Sequence, residues 1–146
     1  MRLFLSGPFF SDEEAERIDR VKGALEKLGF EVYSTSHRNP PIDLGSKAQK
    51  SRRFKLLCKE IEKSDGLFAV LDGKDPGTIW EMGYASALGK PVVAFTEGEP
   101  FFSLMLDGSA LWINGFGKID EKVKKFYEKR RHGKYGSNNL NLPLHE

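Results

Sequence analysis

Three carboxylates fall where an apolar run hands over to a helical pattern in the stretch LDGKDPGTIWEMGYASALGKPVVAF, residues 71–95. Asp72 and Asp75 sit in the turn and Glu81 sits just inside the helix. A carboxylate kept ionised in a cleft is a candidate nucleophile. About one turn into a helix, free N–H groups and the dipole favour the ionised form by ~0.3–1 kcal/mol. The plainer alternative is that Glu81 only complements the helix start, as first-turn acids commonly do. Asp72 and Asp75 have a plain reading too, as turn and N-cap residues. Paired carboxylates can hold a divalent cation. The three histidines, His37, His132 and His145, are however scattered through the chain, and no metal is expected. Gly7 and Gly77 permit close backbone approach to a ligand. Neither GxGxxG nor GxxxxGK[ST] occurs, so no nucleotide cofactor is expected.

The elements that must position these groups alternate. Residues 2–6 read as a short strand ending at Gly7-Pro8. Residues 12–28 carry Ala15, Ile18, Val21, Leu25 and Leu28 on one stripe, with Ser11 as N-cap and Gly29 closing the helix. FEVYST is a second strand. Residues 35–50 read as a long polar connection, of the kind that is usually functional or mobile. Phe54, Leu57, Cys58 and Ile61 mark a second helix, with Cys58 as a buried core thiol. GLFAVLD is a continuous apolar run, as in a parallel strand covered on both faces. Residues 78–88 form a third helix, PVVAFT a fourth strand and ALWI a short fifth, and residues 119–129 a last helix.

This alternation predicts an α/β fold: a flavodoxin-like, doubly wound, five-stranded parallel sheet of order 2-1-3-4-5 with helices on both faces. Ligands bind such sheets beyond the strand C-termini at the switch point, here between SGPFF and LDGKDPG. The three carboxylates and the first Gly-Pro turn therefore share one crevice. One domain over residues 1–131 and an irregular tail over 132–146 are expected.

The chain of 146 residues suits a single core, with 39% apolar and 30% charged residues. A net charge of +2 does not suggest a nucleic-acid polymer as partner. KVKKFYEKRRHGK holds much of the basic excess and reads as a solvated helix face. One cysteine excludes an intrachain disulfide and fits a reducing compartment. The start reads as no signal peptide and no run spans a bilayer, so a cytoplasmic protein with no membrane partner is expected.

LSGPFF, SDGLFAVLDGKDPGTIWEMGYASALGKPVVAF and FSLMLDG, in that order, closely resemble the nucleoside 2-deoxyribosyltransferase family over residues 2–113. The most specific segment is D-P-G-T-x-W-E-x-G-Y-A, from Asp75 to Ala85. The resemblance implies that Glu81 attacks the anomeric carbon of a nucleoside, giving a glycosyl-enzyme ester that a second base resolves with net retention, by the logic of a retaining glycosidase. It implies that Asp75 binds sugar hydroxyls and that Asp72 orients the base or the nucleophile. It also implies that Ser103 and Met105 enter a neighbouring subunit's site, in a homo-oligomer of at least two chains. Two positions depart from the family pattern. Phe4 stands where a tyrosine touches the nucleophile and crowds the sugar 2′ position. Leu57 stands where an aspartate handles the leaving base. A related branch hydrolyses nucleoside 5′-monophosphates with serines and an arginine around the phosphate. Here Pro8, Phe10 and Asp75 occupy those positions and Ser103 alone matches. An aspartate repels a phosphate, so a free nucleoside and a free nucleobase are the expected partners. Hydrolysis by the same Glu81, and a nucleotide-sensing module without turnover, are the competing readings.

Overall fold

A computed structural model describes residues 1–131, and the expected irregular tail, 132–146, lies outside them. The strands β1 (Arg2–Ser6), β2 (Glu31–Ser34), β3 (Gly66–Val70), β4 (Val92–Thr96) and β5 (Leu111–Asn114) form one sheet in the order β2-β1-β3-β4-β5. Every neighbouring pair is parallel. The helices are α1 (Asp12–Lys27), α2 (Thr35–Arg38), α3 (Lys47–Lys63), α4 (Pro76–Ala87), α5 (Leu104–Ser109) and α6 (Glu121–Arg130). The order and direction of the strands are those the alternation predicts.

Strand side chains alternate between the two faces. Leu3 and Leu5 of β1 pack with Ile18, Val21 and Leu25 of α1 and with Val123, Phe126 and Tyr127 of α6. Phe4, between them, points to the other face, where Ile61 of α3 and Met82 and Ala85 of α4 lie. Both faces of β3 are covered and all five of its residues are buried, which accounts for its unbroken apolar sequence. α6 is amphipathic: its lysines face outward while the Tyr127 hydroxyl donates to the Leu67 carbonyl at 2.7 Å.

Local signals explain the element ends. Ser11 Oγ accepts from the Glu14 N–H and Glu14 returns a bond to the Ser11 N–H, a capping box at the start of α1. Gly29, with φ +95°, ends α1 in a conformation that costs a glycine little.

The expected long loop over residues 35–50 is shorter than its sequence suggests. It contains the single turn α2, and α3 already begins at Lys47, with Ser46 Oγ accepting from the Gln49 N–H. Residues 47–53 lack an apolar stripe but consist largely of good helix formers, so propensity rather than periodicity sets this boundary. α4 begins at Pro76 rather than Thr78, because proline suits the first helical position. Among the described residues no helix is long and apolar enough to cross a membrane.

Candidate active site

The C-terminal ends of β1 and β2, the start of α4, and α3 enclose a cavity of about 720 Å³. It is lined by Ser6, Gly7, Asp75, Gly77 and Glu81 and by apolar side chains that include Phe10, Ile42, Phe54 and Trp80. A cavity of this size and character suits a small ligand with one flat apolar part.

Ser6 ends β1 on the same face as Phe4 and therefore points toward α4. Its Oγ donates to Glu81 Oε1 at 2.6 Å. Glu81 lies on the sixth residue of α4, past the turn whose N–H groups are free, so the helix start does little for its charge. Burial dominates and pushes its carboxyl from 4.5 up to about 7; the Ser6 hydrogen bond opposes this and the negative charge of Asp75 adds to it. The expectation that the helix start keeps Glu81 ionised is corrected here: desolvation outweighs the dipole.

Asp75 is the N-cap of α4. Its Oδ2 accepts from the Thr78 N–H at 2.9 Å and from Thr78 Oγ1 at 3.0 Å. Among the described residues Oδ1 has no hydrogen-bond partner, and Asp75 lines the cavity. The cap and a ligand contact are thus compatible, one oxygen for each. Gly77 keeps this corner open, since a Cβ there would lie 3.2 Å from Asp75 Oδ2. At Gly7 a Cβ would meet Ile18 Cδ1 at 2.8 Å and Val70 Cβ at 3.0 Å, so the first turn passes too close to the core for any side chain.

The remaining expected residues are placed elsewhere. Asp72 does not line the cavity; its carboxylate accepts from the N–H groups of Glu97 and Gly98, at 2.9 and 2.8 Å, and lies 3.9 Å from Arg17 Nε. It fastens the turn after β3 to the exit of β4. Phe4 is 1% exposed and stacks on Tyr33 at 5.4 Å, beneath the cavity rather than in its wall. Ser103 caps α5 through the Leu106 N–H, and Met105 is 78% exposed; neither lines the cavity of its own chain. Cys58, expected in the core, is only partly buried and borders the cavity. Burial, then Glu62 and Glu81, push its thiol up, which makes it a poor nucleophile. Among the described residues no three potential metal ligands cluster.

Ser6 and Trp80 have no role assigned from the sequence, and Phe54 only that of marking a helix. The signal for Ser6 was parity, two residues after Phe4 at a strand end. Trp80 directly precedes Glu81, and its ring meets Phe54 of α3 at 5.2 Å and Tyr84 at 5.3 Å.

A flavodoxin-like sheet with a crevice at its switch point, lined by a buried carboxyl, defines a ligand-binding α/β domain. Residues 3–125 match the family model of nucleoside 2-deoxyribosyltransferases. The 2-deoxyribosyltransferase of Bacillus psychrosaccharolyticus is 27% identical, with a TM-score of 0.73, covering 82% of this chain and 90% of that one. A protein of Thermofilum pendens named "Putative 2'-deoxynucleoside 5'-phosphate N-hydrolase 1" is 25% identical over 132 residues, 86% of this chain and 92% of that protein. The CMP N-glycosidase of Clostridium botulinum, 24% identical with a TM-score of 0.59 over 86% of this chain and 97% of that one, shares the fold. The chain belongs to the nucleoside 2-deoxyribosyltransferase family. It is an enzyme of N-glycosidic bonds, acting by glycosyl transfer or by hydrolysis.

Proposed function

We propose that the chain transfers a (2-deoxy)ribosyl group between nucleobases through a covalent ester on Glu81. The observation that carries this reading is the Glu81 carboxyl lining the cavity, aimed by Ser6 and adjacent to Asp75. The ionised Oε attacks C1′ while the bond from C1′ to the base nitrogen breaks, and the base leaves with the electron pair. Positive charge growing on the sugar ring is met by the carboxylate in a site of low polarity, where such attraction is strong. A nitrogen of a second base then attacks C1′, restores the carboxylate and gives up its proton. Asp75 Oδ1 accepts from a sugar hydroxyl, and the apolar lining takes the flat base.

Water as acceptor in the same second step gives an N-glycoside hydrolase, and the relative from Thermofilum pendens favours that reading. The cavity wall favours a free nucleoside over its 5′-monophosphate. Two carboxylates line it, and its one guanidinium among the described residues, Arg53, donates to the Pro40 carbonyl at 2.6 Å. Incubation with a nucleoside panel, with and without a free acceptor base, decides. Base exchange supports transfer, free sugar supports hydrolysis, and no turnover overturns both.

The segment bearing Ser103 and Met105 completes the site of a neighbouring copy. Phe102, Leu104 and Met105 are 74%, 63% and 78% exposed, which supports a homo-oligomer built on this patch. Residues 1–131 form one domain, and its cytoplasmic location accords with a single free thiol.

A further inference from the structure

A base bonded to C1′ at Glu81 must lie against the side chains that the cavity places beside that carboxyl. Two helices supply them. Trp80 directly precedes Glu81 on α4, and both line the cavity. On α3, Phe54, Leu57, Cys58 and Ile61 line it at the spacing of one helix face. The charge of Glu81 is felt at Cys58, so this face of α3 lies near the carboxyl.

The two helices meet through aromatic rings. Phe54 and Trp80 have ring centroids 5.2 Å apart at 62°, and Trp80 stacks on Tyr84 at 5.3 Å. Tyr84 does not line the cavity, so it braces the indole without closing the wall. Phe54 and Trp80 remain 54% and 48% exposed.

The polar side chains of the cavity are turned to protein partners. Ser6 donates to Glu81 and Thr78 to Asp75. Arg53 donates to the Pro40 carbonyl at 2.6 Å, and Asn39 to the Tyr33 hydroxyl at 2.7 Å. Ser34 and Ser36 lie 3.2 Å apart and both touch His37. Among the described residues Thr35 and the weakly polar Cys58 are left. A hydroxyl donates or accepts, so Thr35 does not tell an amine from a carbonyl.

We propose that the nucleobase is selected by ring area on the Phe54–Trp80 wall and not by its hydrogen-bonding edge, with Trp80 as the specificity-determining residue. Purines are then preferred to pyrimidines, and a 6-amino purine is treated like a 6-oxo purine. The proposal deepens the reading in which Glu81 attacks C1′ and rests on it. Every base has a π-face, and the gain from stacking grows with the area removed from water. A bicyclic base covers more of the two rings than a monocyclic one. A site built to hydrogen-bond an edge rejects the wrong edge by about ten-thousandfold, whereas an apolar wall separates bases of equal shape only weakly.

Binding to Glu81→Gln tests this apart from the chemistry, because differences in leaving ability drop out. Calorimetry compares 2′-deoxyadenosine, 2′-deoxyinosine and 2′-deoxyuridine. The two purine nucleosides should bind within about tenfold of each other, and each at least about tenfold more tightly than 2′-deoxyuridine. Adding Trp80→Leu should weaken both purine nucleosides by about tenfold or more and 2′-deoxyuridine by less. Trp112, the other tryptophan, does not line the cavity, so quenching of indole emission on binding should vanish with Trp80. If Trp80→Leu does not fold, Phe54→Leu carries the affinity comparison. A larger gap between the two purine nucleosides, a smaller preference over 2′-deoxyuridine, unchanged purine affinity in the variant, or binding of none of the three overturns the proposal. Wild-type turnover by Glu81→Gln would instead overturn the nucleophile, a result that the binding series cannot produce.

Discussion

Ser6 Oγ donates to Glu81 Oε1 at 2.6 Å, joining the last residue of β1 to the second turn of α4. This bond stabilises the ionised carboxyl against the burial that disfavours it. A hydrogen bond to a charged group is worth ~1.5–3 kcal/mol. Ser6→Ala should therefore move the acid limb of the kcat/KM profile to higher pH and lower kcat/KM at neutral pH by roughly ten- to a hundredfold. An unshifted limb would show that Ser6 does not tune Glu81.

Glu81 also sets a stability trend. Its carboxyl is raised from 4.5 to about 7, so between those values the folded chain holds a proton that the unfolded chain has released. Its contribution to stability is complete below the lower value and is lost as pH rises through the upper one. At 1.36 kcal/mol per unit the full change is about 3 kcal/mol. Glu81→Gln should thus raise the unfolding free energy by up to that amount at pH 8 and by almost nothing at pH 4. Denaturant titrations at the two pH values measure it; equal effects at both would contradict the burial of the charge.

Asp75 caps α4, and the sugar contact proposed for it can be separated from that cap by different substitutions. Asp75→Asn keeps a good N-cap and removes the charge that raises Glu81, so the pH limb should move down with little change in stability. Asp75→Ala loses the cap as well and should cost ~0.5–2 kcal/mol of stability. Both variants should lose kcat/KM, roughly tenfold or more, if Oδ1 receives a sugar hydroxyl. Full activity in both would remove Asp75 from substrate binding.

The exposed patch on α5 gives a further test. Leu104→Asp places a charge in the centre of the surface proposed to meet a second copy. Sedimentation should show a smaller species, and specific activity should fall with it because Met105 no longer reaches the neighbour's site. A monomeric wild type with full activity would exclude the shared site.

Much of this was legible from the sequence, for identifiable reasons. The strands announced themselves because burial on both faces leaves no polar positions, as in β3. The crevice followed from strand order, and Asp75, Gly77 and Glu81, which one contiguous motif singles out, all line it. Phe4 had the right parity but the wrong height: residues two apart on a strand share a face about 6.6 Å apart. It is Ser6, one step higher, that reaches the site. Asp72 was invisible because its partners, the N–H groups of Glu97 and Gly98, are backbone atoms 25 and 26 residues away.

The burial of Glu81 has a bearing on inhibitor chemistry. Near neutral pH the empty site is divided between molecules whose Glu81 carries a charge and molecules whose Glu81 does not. A ring that holds a fixed positive charge where C1′ would lie is complementary to the charged population alone, and its binding must draw that population up by the same factor by which ionisation favours it. A cationic pyrrolidine mimic of the sugar should therefore bind more tightly as pH climbs from 6 to 8. An uncharged ring of the same shape should show no such gain. Calorimetry in buffers of different ionisation enthalpy would register proton release with the first compound and none with the second.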